Sequence, residues 1–168
     1  MSHKERKYIM SNVYVSRYAN RELRTGEYTA VRISLGMPRW PLGYELAGEI
    51  KDLMPVGMKN IMDIEKFRPL YYRRLDGFGF ARIEAQIQKF LAYGKPVALL
   101  CYEDIRKGPH NWCHRTIFAD WWLKETNERI VELRDDSKFV PEPGFETEKT
   151  SKVSVVSPSP LFIETALF

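Results

Sequence analysis

The stretch PVALLCYEDIRKGPHNWCHRTIFADWWL, residues Pro96 to Leu123, decides how the rest of the chain is read. Val97 to Cys101 is short and apolar at every position, as a strand buried on both faces of a parallel or mixed sheet would be. A basic turn then delivers Asn111, Trp112, Cys113, His114 and Arg115 into a helix over about Trp112 to Glu125, with Ile117, Phe118, Trp121 and Trp122 turned inward. Upstream, Ile83, Ile87, Phe90 and Leu91 recur at helical spacing over Phe80 to Tyr93, and Gly94 and Pro96 stop that helix. Helix, strand, helix is the rhythm of an α/β fold.

The flanks extend the pattern in both directions. Asn12 to Arg17 and Tyr28 to Leu35 alternate as strands, and Arg129 to Leu133 supplies the last one. Ala19 to Gly26 reads as a turn or short helix, and Gly36 to Gly43 as a loop, because its prolines and glycines break regular structure. Tyr44 to Met54 fits a short strand or a helix. Asp63 is the expected N-cap of a helix over Ile64 to Leu75, kinked or divided by Pro69, with a turn at Asp76 to Gly79. The expected architecture is therefore one three-layer α/β domain over residues 1–134, with a mostly parallel or mixed central sheet and helices on both faces.

From Arg134 the composition turns to Asp, Glu, Ser, Thr and Pro, so residues 135–168 read as an extended C-terminal tail. Its apolar end, from Val153 to Phe168, is expected to dock on the domain, or else to swap onto another subunit or bind a partner.

A chain of 168 residues buries roughly 70% of its unfolded surface in a single core. No apolar run approaches the roughly 20 residues a membrane span needs, and the basic start MSHKERKYIM lacks the apolar run of a secretory signal. The expectation is a soluble cytoplasmic protein with no membrane partner. Two cysteines argue against a disulfide-framework protein and fit thiols, ligands or core residues better. A formal charge of +4 and a pI near 9.0 permit attraction to phosphate but are mild for a dedicated nucleic-acid binder.

Reactive residue types concentrate at Cys101 to Arg115. In open α/β sheets, ligands gather beyond the carboxyl ends of the strands, where helix N-termini present free amides. With Asn111 as N-cap, Cys113 and His114 fall in the first turn, where the dipole favours thiolate. Three uses are open. Arg115 and the helix amides hold an anion while Glu103 acts as polar or acid/base partner; Cys113 is a nucleophile served by His114 or His110; or Cys101, His110, Cys113 and His114 hold zinc, although their spacing is no standard pair of knuckles. Neighbours within a helix point about 100° apart, which counts against a Cys113–His114 pair. Cys113 and His114 also share helical faces with core aromatics, so a purely structural role is the fourth reading. No metal and no cofactor is assigned.

Elsewhere, Arg39 and Trp40 combine a guanidinium fork with a stacking surface that suits an anion or a base face. Arg68, Tyr72, Arg73 and Arg74 interleave bases with aromatics on one helix, a face fit for nucleic acid or for plain solvation.

Leu99 to Glu103 (LLCYE), Trp112 to Trp122 (WCHRTIFADWW) and the closing strand Ile130 to Leu133 resemble the bacterial and phage family named domain of unknown function 488. Arg32 to Trp40, Asp52 to Pro55 and the region of Tyr71 and Tyr72 follow the same order of elements, so the likeness covers about Val13 to Leu133. It implies a compact cytoplasmic α/β domain with a pocket involving Cys101, Glu103, Cys113, His114 and Arg115, and no established activity. The leading expectation is a protein that binds a small anionic, nucleotide-like ligand at residues 101–115. Arg39, Trp40, Cys101 and Arg115 would contact it, with Glu103, Cys113 and His114 in catalytic positions. The rival is a non-catalytic module using the 68–74 face on nucleic acid or the C-terminal tail on a protein, including a second copy of the chain.

Overall fold

A computed structural model describes Ser2 and residues 12–145. Five strands, β1 (Val13–Arg17), β2 (Thr29–Arg32), β3 (Gly48–Glu49), β4 (Val97–Cys101) and β5 (Val131–Glu132), form one sheet in the order β3-β2-β4-β1-β5. Every pairing is parallel, with Leu99 opposite both Val15 and Val31, and Val15 opposite Glu132. β4 is central and buried at all five positions, as its unbroken apolar run requires. Its side chains alternate: Val97 and Leu99 enter one core cluster, Ala98 and Leu100 the other.

Among the described residues are three α-helices: α1 (Ile64–Phe78), α2 (Phe80–Leu91) and α3 (His114–Thr126). Their apolar faces, among them Phe67, Tyr71, Ile83, Ile87, Ile117 and Trp122, join Val13, Val15, Val31, Val97 and Leu99 in the larger cluster. The second cluster is smaller and is closed by the 3-10 helix Arg21–Thr25 and by tyrosine-rich connections, with Tyr14, Tyr28, Tyr44 and Tyr102 packed around Tyr18 and Leu23. The described residues form a single α/β domain.

Local signals explain most boundaries. Asp63 caps α1 by accepting from the Glu65 amide at 2.9 Å. Pro69 neither divides α1 nor ends it: the helix runs on through Phe78, replacing the expected turn at Asp76, because Phe67, Tyr71 and Leu75 bury one continuous stripe. Gly79, at a φ of +85°, is what separates α1 from α2. Tyr44 to Met54 divides into the two-residue β3 and a 3-10 turn at Lys51–Leu53. Asn111 is not the cap of α3. It ends the 3-10 turn Pro109–Asn111, and Cys113 occupies the N-cap position with no side-chain capping bond.

Beyond β5 the chain has no regular structure through Phe145, but it is tied down. Arg106 donates to the carbonyls of Asp135 and Ser137 and lies 4.6 Å under the Phe139 ring, while Arg17 pairs with Asp135 at 2.7 Å. Glu142 donates its amide to the Lys107 carbonyl and accepts from His110 and Asn111. The expected docking or swapping of the apolar end, Val153 to Phe168, falls outside the described residues, as does the basic leader. No helix of the described residues is long and apolar enough to cross a membrane.

These ties make an acid-labile latch. Bonds from Arg106, followed by the charge of Arg17, hold the Asp104 carboxyl below its usual range; at Asp135, burial is outweighed by bonds from Ser137 and Arg17, with the same result. A folded pKa below the unfolded one means the stabilisation is present above the unfolded value of about 3.9 and is lost as pH falls through the folded value. Melting temperature is therefore expected to fall below about pH 4, less steeply for Asp135→Asn than for wild type. Parallel pH profiles of the two proteins would refute the latch.

Candidate functional site

A cleft of about 720 Å³ opens at the carboxyl ends of β2 and β4. One wall is Ser34 to Gly36 beyond β2, and another is the loop before α1 with Met58, Lys59 and Met62. Tyr102 and Glu103 beyond β4, and His110 to His114 leading into α3, complete it. The position is the one the strand-to-helix corner predicts for a parallel sheet.

Cys101, Cys113 and His114 meet at the base of this cleft, with their donor atoms all within 4.8 Å of one another. Cys101 is the last residue of β4 and His114 the first of α3. Cys113 is extended, with φ −138° and ψ 147°. For that reason the 100° separation of helical neighbours does not apply, and its Sγ comes within 3.8 Å of His114 Nδ1. Cys101 Sγ lies 3.6 Å from the same nitrogen and 3.2 Å from Glu103 Oε2.

The imidazole is oriented by backbone. His114 Nε2 lies 2.9 Å from the Ile33 carbonyl, an obligate acceptor, so Nε2 carries a hydrogen and Nδ1 faces the two sulfurs. Tyr71, edge-on at 5.7 Å and itself donating to the Leu53 carbonyl at 2.6 Å, holds the ring from behind. Cys113 and His114 are both buried, and with Cys101 they also line the cleft.

The electrostatics separate the two thiols. Burial opposes a charge on Cys113, but bonds from Cys101 and His114 and the nearby charge of Arg115 outweigh it and bring its thiol well below the ordinary range. Cys101 moves up, because its bond to Cys113 and its burial both favour the proton. Burial, and then the charge on Cys113, push the Glu103 carboxyl up.

Arg115 does not reach the cleft. It is fully buried and bonded to Glu132 of β5, through Nε at 3.2 and 3.1 Å and Nη2 at 2.8 Å, while its Nη1 is buried without a hydrogen-bond partner among the described residues. The expected ligand contact is thus not among the contacts of this cleft: the residue after His114 faces the sheet edge, where a carboxylate from the last strand pairs with it. Arg39 and Trp40 are likewise not walls of the cleft. Both are exposed, and Trp40 stands one ring outside, 5.9 Å from the lining residue Tyr102. His110 lines the cleft mouth, but its Nδ1 is 2.9 Å from Glu142, apart from the two sulfurs.

The 68–74 face is partly committed to internal contacts. Arg68 pairs with Asp120 at 3.1 Å, Arg74 lies 4.8 Å over Phe78, and Tyr72 sits half-buried beneath Lys124; Arg73 is exposed. What the sequence reading missed is the loop from Pro55 to Met62. Met54, Met58 and Met62 recur every four residues there, and that spacing was the available signal. Trp112 was noted only as the start of a helix; it is a cleft wall, packed at 4.9 Å on Phe67. No family model, no curated protein and no solved structure matches the chain.

Proposed function

We propose that the chain binds a small anionic, nucleotide-like molecule in this cleft and presents it to the sulfur, imidazole and carboxylate groups at its base. The observation that carries the reading is the cleft itself: about 720 Å³, within the range of small-molecule sites, with apolar walls and a few convergent polar groups at one end. Trp112 takes the stacking role in place of Trp40, in a lining it shares with Met58 and Met62, whose thioethers adapt to flat apolar bodies. Lys59 takes the place of Arg115 and Arg39 on the anion, and Glu103 is the polar partner beside the reacting groups. Kinship with the domain of unknown function 488 family is proposed on the Cys-His-Arg element of Cys113 to Arg115, and with it a bacterial or phage setting. The nucleic-acid reading of the 68–74 face is the weaker one, since its arginines Arg68 and Arg74 already have partners.

Thermal-shift screening with nucleotides tests the proposal. A ligand at 100 times its dissociation constant stabilises the fold by about 2.7 kcal/mol. That shift is expected for wild type and Arg39→Ala, and is expected to disappear in Lys59→Ala and Trp112→Ala. An unresponsive wild type, or full responses from the last two variants, would sink the reading.

A further inference from the structure

We propose that Cys101, Cys113 and His114 are the ligands of a divalent metal ion of the zinc class, with the fourth position turned to the cleft beside Glu103. The inference goes beyond a nucleotide-like ligand, because it stands on donor atoms alone. Two thiols and one imidazole are a borderline-soft set that suits zinc, and three protein ligands with one open position are the usual form of a zinc site that also does chemistry.

The spacing fits. With zinc–sulfur bonds of about 2.3 Å and zinc–nitrogen bonds of about 2.0–2.1 Å at tetrahedral angles, the sulfur-to-nitrogen edge is about 3.6 Å. The two observed edges, from His114 Nδ1 to Cys101 Sγ and to Cys113 Sγ, are 3.6 and 3.8 Å. The imidazole is also prepared as a ligand. Its Nε2–H is held by the Ile33 carbonyl at 2.9 Å, the outer-shell bond that fixes tautomer and ring angle in metal sites.

These ligands come from two elements twelve residues apart in sequence, and the sheet carries both. Cys101 ends the central strand and Cys113 and His114 open α3, so the three are positioned by backbone that the core already fixes. Glu103 Oε2, at 3.2 Å from Cys101 Sγ, is placed to accept a hydrogen bond from water in the fourth position. Binding exchanges thiol protons for metal: each thiol that enters as S–H releases one proton to solvent, and the metal keeps its oxidation state.

The test uses the full chain, reduced, stripped with chelator and titrated anaerobically with Co²⁺ as the probe. One equivalent is expected to bind with the visible bands of tetrahedral cobalt and a thiolate-to-cobalt charge-transfer band, and Zn²⁺ is expected to displace it. Cys113→Ser should remove about half of the charge-transfer intensity, since one of the two thiolates is gone. His114→Ala should weaken binding by at least the ~10–100-fold that loss of an outer-shell partner already costs. His110→Ala should bind as wild type does.

A spectrum of six-coordinate aqueous cobalt would overturn the proposal. So would an undiminished charge-transfer band in Cys113→Ser, undiminished binding in His114→Ala, or an equal loss in His110→Ala. Should Cys113→Ser fail to fold, X-ray absorption of the zinc-loaded wild type decides: two sulfurs at about 2.3 Å support the site, and a shell of nitrogen and oxygen only refutes it. Lys59→Ala separates this inference from the nucleotide reading. It is expected to keep cobalt binding while losing the nucleotide response, so either proposal can fail without the other.

Discussion

Replacing Glu132 by alanine is expected to lower the free energy of unfolding by about 3 kcal/mol, the lower part of the range for breaking a buried ion pair. The cause is the residue left behind. Arg115 is fully enclosed, and its three bonds to the Glu132 carboxylate are the partners that make its charge tolerable there. The lower figure is chosen because Glu132 keeps a side-chain exposure of 30%, which lets water reach the guanidinium once the carboxylate is gone. The double variant Arg115→Met/Glu132→Leu removes both charges and is expected to recover most of the loss, since an apolar pair of similar volume often does as well as a buried ion pair. Urea unfolding with an unchanged denaturant slope measures both. A single variant as stable as wild type would mean that Arg115 is not held by Glu132, and would reopen its candidacy as a ligand group.

Trp122→Ala is expected to cost about 3–5 kcal/mol, as for other large aromatics deleted from a packed core. Its ring is fully buried, with Phe80 at 4.8 Å and Phe118 at 5.9 Å. The informative comparison is with phenylalanine. The indole nitrogen of Trp122 is buried without a hydrogen-bond partner among the described residues, whereas Trp121 donates to Asp76 at 2.8 Å. Leaving a donor unsatisfied costs about 1–3 kcal/mol, so Trp122→Phe relieves a penalty while it loses volume. Trp121→Phe gives up a bond and gains nothing. Equilibrium unfolding should therefore rank Trp122→Ala as the worst and Trp122→Phe as milder than Trp121→Phe. If Trp122→Phe proves the more damaging of the two phenylalanine variants, the indole nitrogen has a partner after all.

Arg115 also shows why site residues are harder to read than elements. From sequence it stood beside His114 in the most reactive stretch of the chain, and its charge marked it as a ligand group. In the fold it is a structural cation whose partner lies 17 residues later, on the edge strand. Lys59, by contrast, sits in a loop marked only by the spacing of Met54, Met58 and Met62, and it becomes a cleft wall because that loop folds across the end of the sheet. Cys113 is expected in the first turn of a helix; its extended backbone at the N-cap position turns its sulfur toward Cys101 instead.

What the sequence determined by itself is the set of elements and their burial. An unbroken apolar run made β4 central, a carboxylate cap started α1, aromatic periodicity buried α3, and glycine and proline marked the connections. Each of these follows from forces acting within a few residues: backbone hydrogen bonding, side-chain alternation and the steric limits of two residue types. The corner at Cys101 to His114 was legible as a place for the same reason, since a strand and a helix flank it. Only the tertiary structure decided the pairings. Arg115 with Glu132, Cys101 with Cys113, and His114 with the Ile33 carbonyl join residues 12 to 81 positions apart. Such contacts are set by strand order and register, which local propensity does not encode, and on them the chemistry of the cleft depends.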